Sequence, residues 1–137
     1  MSKFQEMRTV LSHEGYLIEA LKGMGYTPEV CAEGSALFGY IGDERPERAH
    51  VIIRRRQLDS ASNDIGFRRD EGGVYRAIIS EYDRGIGFDD AWLGRIAQTY
   101  KERQTMAVAK AKGYVFQGRQ IVETPQGKKV QLRFAVR

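Results

Sequence analysis

No apolar run in this chain of 137 residues is longer than a few side chains, and Val51-Ile52-Ile53 is typical. A membrane-spanning helix needs about 18–20 consecutive apolar residues. Each element here can therefore bury only one stripe or face, and must find another element to bury it against. No secretory apolar stretch follows Met1, so a cytoplasmic address is expected. With 42% hydrophobic and 29% charged residues the composition is that of a folded protein, and the length suits one core, so a single domain over residues 1–137 is expected. Cys31 is the only cysteine, which excludes an internal disulfide and a cysteine-built zinc site.

The periods along the chain give the element order. Phe4–Val10 alternates imperfectly and reads as a strand. Ser12 is placed to cap a short helix in which Leu17, Ala20, Leu21 and Met24 recur at helical spacing, with Gly23 or Gly25 as the stop. Pro28 introduces an extended segment over Glu29–Glu33, and a second runs from Ala36 to Ile41. The polar stretch Gly42–Arg48, with Pro46 inside it, reads as a loop before the buried strand Val51–Ile53. Ile65 and Phe67 share a face opposite Asp64, Gly66 and Arg68. Asp70-Glu71-Gly72-Gly73 then supplies a tight turn, and the chain returns as a strand from Val74 to Tyr82. Beyond a Gly85/Gly87 loop, Asp89 or Asp90 caps a longer helix. Its Trp92, Leu93, Ile96, Ala97, Tyr100, Gln104, Ala107, Val108 and Ala111 trace one face as far as the stop at Gly113. Tyr114–Thr124 and Lys128–Val136 form a hairpin around Pro125-Gln126-Gly127, with Val130, Leu132, Phe134 and Val136 opposite Lys129, Gln131, Arg133 and Arg137.

This order predicts an α+β fold, an antiparallel sheet with two helices on one face. It also admits a βαββ unit occurring twice, although the two halves share no convincing residue-level identity.

The overall charge of +4 is unevenly spread. Residues 1–50 carry −3 and residues 51–100 balance, whereas in residues 101–137 nine Lys/Arg face only Glu102 and Glu123, a local +7. The candidate basic binding surface comprises Arg54, Arg55, Arg56, Arg68 and Arg69 at strand ends. In the C-terminal region it continues with Lys101, Arg103, Lys110, Lys112, Arg119, Lys128, Lys129 and Arg133, interleaved with Tyr100, Tyr114 and Phe116. Cations alternating with aromatics suit a phosphate backbone with stacked bases. Arginines on the polar face of a strand also simply keep an edge soluble.

The candidates for catalysis and metal binding have plainer explanations. Glu14 beside His13 sits where a helix dipole favours an acid. His50 opens a predicted buried strand with no His or Cys at metal-ligand spacing. Cys31 lies between Glu29 and Glu33, which oppose a thiolate. Asp89 and Asp90 with Asp83 could offer oxygens to magnesium or calcium, but match no calcium loop and serve as caps. Gly85 and Gly87 lack the further glycine and lysine of a phosphate loop. No catalytic residue, metal ligand or cofactor is assigned.

Met1-Ser2-Lys3-Phe4 with Arg8-Thr9, Asp64-Ile65-Gly66-Phe67 followed by Gly73 and Tyr75, Leu93-Gly94-Arg95-Ile96-Ala97-Gln98-Thr99-Tyr100, and Ala111-Lys112-Gly113-Tyr114 with the terminal hairpin form one pattern. It resembles the hypothetical chloroplast reading frame 35 family of cyanobacteria, plastids, other bacteria and phages, a domain of unknown function. The charge-dense Asp43–Arg48 departs from that pattern and transfers no ligand. The resemblance implies a soluble partner-type protein acting beside a MoxR-like AAA+ ATPase. The expectation is a non-enzymatic binding or adaptor module with a protein partner. The alternative is a nucleic-acid-binding protein using its basic C-terminal helix and hairpin. An enzyme centred on His13 or Asp64 comes third, and open sheet edges allow a homodimer.

Overall fold

In the computed structural model, which describes residues 2–136, the β-branched and aromatic segments pair as a five-stranded antiparallel sheet. Its strands are β1 (Phe4–Arg8), β2 (Glu29–Phe38), β3 (Glu44–Ile53), β4 (Ile65–Arg69) and β5 (Tyr75–Ser80), in the spatial order β1-β5-β4-β3-β2. Three helices, α1 (Glu14–Gly23), α2 (Glu81–Gly85) and α3 (Asp90–Ala111), and two further strands, β6 (Val115–Thr124) and β7 (Gly127–Ala135), complete the chain. The fold is α+β. β6 and β7 pair only with each other in a second sheet, so the repeated βαββ order does not become a repeated sheet. No described helix is long and apolar enough to cross a membrane.

The chain divides into two compact units, residues 1–100 and 101–137. In the first, alternation sorts the side chains to two faces. Val51, Ile53, Ile65, Phe67, Tyr75, Ala77 and Ile79 meet Leu17, Ala20 and Leu21 of α1 and Trp92, Ile96 and Tyr100 of α3 in one buried cluster. Both helices thus cover the same face. Each fully buried aliphatic side chain there contributes about 1.5–3 kcal/mol. A smaller cluster of Leu37, Ala49, Ile52 and Ile78, with Phe4 and Cys31 at its edge, fills the other face. Gly66 is required there, because a Cβ on it would lie 2.5 Å from the Ala49 Cβ.

Several boundaries differ from those expected. His13, not Ser12, caps α1, its Nδ1 accepting from Tyr16 N, while Ser12 N donates to the Tyr100 hydroxyl. The two extended segments after Pro28 are one bulged strand, β2. The Gly42–Arg48 stretch is no loop beyond Asp43: β3 begins at Glu44, and exposed Pro46 lies within it while Phe38 pairs with Glu44 and Ala36 with Arg48. β5 stops at Ser80, whose hydroxyl accepts from Asp83 N and starts α2. Asp89 caps α3 through Trp92 N. The apolar face expected along α3 holds for Trp92, Ile96 and Tyr100, but Gln104, Val108 and Ala111 are exposed.

The start of β4 is held by a buried polar network. Asn63 donates through its backbone N and its Nδ2 to Asp83 Oδ2 at 3.0 and 3.2 Å, and Nδ2 also donates to Ser80 Oγ at 2.9 Å. Ser80 Oγ donates to the same Asp83 oxygen at 2.6 Å.

Candidate functional site

The three consecutive arginines at the end of β3 do different work. Arg54 leaves the strand beside Asp64, which precedes β4, and Glu29, which opens β2. Its guanidinium donates to both Glu29 oxygens at 2.7 and 3.0 Å, to Asp64 Oδ2 at 2.9 Å and to the Ala36 carbonyl at 3.0 Å, and it lies 5.7 Å from the Phe38 ring centre. Asp64 is buried, and it also accepts from Phe38 N and Arg55 N, each at 2.8 Å. Hydrogen bonding to Arg54 holds the Glu29 carboxyl below its usual range against a smaller opposing effect of burial. The Glu29 bond likewise holds Arg54 more firmly protonated than a free guanidinium. Two carboxylates therefore flank Arg54, and Asp64 ties it to the Phe38 and Arg55 amides.

Arg55 and Arg56 stand on a 3-10 turn, Arg55–Gln57, which is tied at both ends. Asp64 holds the Arg55 amide, and the Gln57 side chain accepts from Thr27 N at 2.7 Å and donates to Thr27 O at 2.8 Å. Among the described residues neither guanidinium has a carboxylate partner. Arg55 and Arg56 line an open cleft of about 330 Å³ together with Arg54, Glu29, Asp64, Phe38 and Gly42.

The other arginines predicted on the sheet are closed by acids. Arg68 bonds Glu6 at 2.8 Å; Arg69 bonds Glu14 at 2.9 Å and the Tyr75 hydroxyl at 2.7 Å. His50 lies within β3 rather than opening it, and its Nδ1 accepts from Arg69 N at 3.0 Å. Burial first, and then the Arg69 and Arg68 charges, lower its affinity for a proton, so it is a neutral acceptor in the sheet. His13 stacks on Tyr16 with ring centres 4.1 Å apart. Half-buried Cys31 borders the smaller core cluster. Asp83, Asp89 and Asp90 serve separately in the buried network, as a cap and as a partner for Arg84. Among the described residues no three His, Cys, Asp or Glu side chains converge as metal ligands.

Residues 101–137 behave differently. Lys101, Arg103, Lys110, Lys112, Lys128, Lys129 and Arg133 are all exposed, and among the described residues Arg119 alone of this segment's cations has an acid partner, Glu102, at 3.0 Å. That pairing makes Arg119 a stronger base than a free guanidinium. β6 and β7 run antiparallel over almost their whole length, with a bulge between Phe116 and Gly118. Thr124 Oγ1 and the left-handed Gly127 (φ 110°) close the turn. The register places Phe116, Arg119 and Ile121 opposite Phe134, Leu132 and Val130 on one face. Gln120 and Val122, opposite Gln131 and Lys129, share the other with Arg133. No residue of either strand is buried; Phe116 is 43% and Ile121 57% exposed. Sequence reasoning found the hairpin and its apolar alternation, but not that all of its residues stay at least partly exposed.

Residues 1–100 form a two-layer α+β body, and β6 and β7 form a basic ribbon in which no residue is buried. A family model described as a protein of unknown function, DUF1257, matches residues 20–133, and the chain belongs to that family. No curated protein and no solved structure matches it.

Proposed function

We propose that this protein is a non-enzymatic binding module whose β6–β7 ribbon docks on an acidic protein partner. One observation carries the reading: two long paired strands present five large apolar side chains on one face, and none of them is buried. An isolated two-stranded hairpin is marginal in water, and exposed contiguous apolar surface marks interaction sites. The chemistry fits protein better than nucleic acid. Apolar Phe116, Ile121, Val130, Leu132 and Phe134 share a face on which Arg119 is already neutralised, while Lys129 and Arg133 lie on the reverse. An apolar centre with charges displaced from it is protein-interface anatomy, whereas a single-strand groove needs stacking aromatics and phosphate-facing cations together. Charge selects the partner's sign: a second ribbon would bring the same +7 to the contact, and an acidic surface relieves it. The resemblance to the chloroplast reading frame 35 family makes a MoxR-like AAA+ ATPase the first partner to try.

The test is titration of the full chain with the purified MoxR-like ATPase of its own genome. Binding is expected, and Ile121→Glu or Leu132→Glu should weaken it at least about tenfold, the equivalent of about 1.4 kcal/mol, with circular dichroism unchanged. Absence of binding, or binding indifferent to both substitutions, counts against the reading. The second reading, nucleic-acid binding by the basic helix and hairpin, draws on the seven exposed cations of residues 101–133 that have no acid partner among the described residues. It requires affinity for a nucleic-acid oligomer that falls steeply with salt, and is abandoned if none is seen at low salt.

A further inference from the structure

In residues 1–100 the arginines Arg45, Arg54, Arg68, Arg69, Arg76 and Arg84 each have a carboxylate within reach. Among the described residues Arg8, Arg48, Arg55, Arg56 and Arg95 have none, and of these five only Arg55 and Arg56 line a cleft. These two are chain neighbours, and the cleft they line is the same one. The turn that carries them is held at both ends, by buried Asp64 on the Arg55 amide and by the paired Gln57–Thr27 bonds. Rigid presentation lowers the entropy lost when a ligand is captured. Arg54 cannot serve as the ligand-binding cation, because Glu29 and Asp64 already saturate it; its part is to hold one wall, with Phe38 beside it. At about 330 Å³ the cleft is at the small end of the range for small-molecule pockets.

We propose that the cleft beside the Arg55–Gln57 turn is a binding site for a small oxyanion-bearing metabolite, a phosphate or carboxylate gripped by Arg55 and Arg56. Guanidinium forks match both groups geometrically and bind them by charge-assisted hydrogen bonds. The site is independent of the ribbon, so it can stand or fall apart from partner docking.

The experiment is calorimetric titration of the full chain with inorganic phosphate and, separately, with succinate. Each is repeated on the double variant Arg55→Gln/Arg56→Gln and on Lys128→Gln/Lys129→Gln, which removes the same charge from the ribbon. Saturable binding of at least one anion is expected, weakened at least about tenfold in the arginine variant and unchanged in the lysine variant. Tighter phosphate binding assigns a phosphorylated ligand, and tighter succinate binding a carboxylate. Should the arginine variant lose structure, Arg55→Lys/Arg56→Lys keeps the charge but not the fork, and should bind detectably more weakly while folding normally. No saturable binding of either anion overturns the proposal, as does equal weakening by the lysine variant.

Discussion

Residues 1–100 and 101–137 use the same alternation of apolar and charged side chains with opposite results. In the five-stranded sheet Ile65, Phe67, Ala77 and Ile79 alternate with Gly66, Arg68, Arg76 and Ile78, and the first set is wholly shielded by α1 and α3. In the ribbon Val130, Leu132 and Phe134 alternate just as regularly with Lys129, Gln131 and Arg133, yet no residue of either strand is buried. The charges differ only in degree: among the described residues six of the eleven arginines of residues 1–100 have an acid within reach, against Arg119 alone of the three beyond residue 100. Alternation states which side chains could be buried together; a second layer decides whether they are.

The sharpest way to break this comparison is to delete one aromatic ring from each region. Phe67→Ala should cost about 3–5 kcal/mol, because it leaves a cavity under two helices. Phe116→Ala in the ribbon should stay within about 0.5 kcal/mol, since Phe116 is 43% exposed and leaves no enclosed cavity. Urea denaturation of the full chain reads both. Comparable losses would mean that the ribbon belongs to the cooperative core, contrary to its exposure.

Next in size is the clamp at the cleft. Asp64→Ala removes a buried acceptor from Arg54, from Phe38 N and from Arg55 N, and should cost about 3 kcal/mol or more. Glu29→Gln at the half-exposed end of the same guanidinium should cost about 1 kcal/mol or less. A reversed order would show that Arg54 is anchored from the solvent side. Gly66→Ala follows at about 1–3 kcal/mol, because the new methyl meets Ala49 and Leu37 in the smaller cluster. A neutral result in the same denaturation assay would show that β3 and β4 can separate there without cost.

What could be read ahead of the structure follows from whether a feature is local. Val51–Ile53, the Ile65/Phe67 face, the Asp70–Gly73 turn and the Pro125–Gly127 turn rest on neighbouring residues and are found as expected. Pro46 and the charges around it masked the first half of β3. Those residues pair with Phe38 and Ala36 of β2, whose bulges local alternation does not encode. The Ile78-Ile79 run hid the stop of β5, which depends on Ser80 bonding Asp83. Among the site residues, Arg54-Arg55-Arg56 read as one cationic run. Only contact with Glu29 and Asp64, 25 and 10 residues away, separates the neutralised arginine from the two that remain available. Gln104, Val108 and Ala111 continue the helical period of α3 past the point where the sheet's core ends, and periodicity alone cannot mark that point.

The smallest effect concerns pH and again separates the regions. His50 lies in the sheet between Arg69, whose amide it accepts from, Arg68, and Glu14 on the adjoining helix. Burial and the two arginines hold its proton affinity below the ordinary value near 6.5, with Glu14 opposing them weakly. Between the unfolded and folded values the unfolded chain therefore binds more proton. The stability associated with neutral His50 is complete above about pH 6.5, declines as pH falls through the window down to the folded value, and is constant below it. His50→Gln keeps an acceptor for Arg69 N and removes the titration, so its urea midpoint should fall less than that of the unmodified chain as pH drops below 6.5. Residues 101–137 contain no histidine, so Phe116→Ala should leave this slope unchanged. A slope retained in His50→Gln would place the titrating group elsewhere, and a slope altered by Phe116→Ala would couple the ribbon to the sheet.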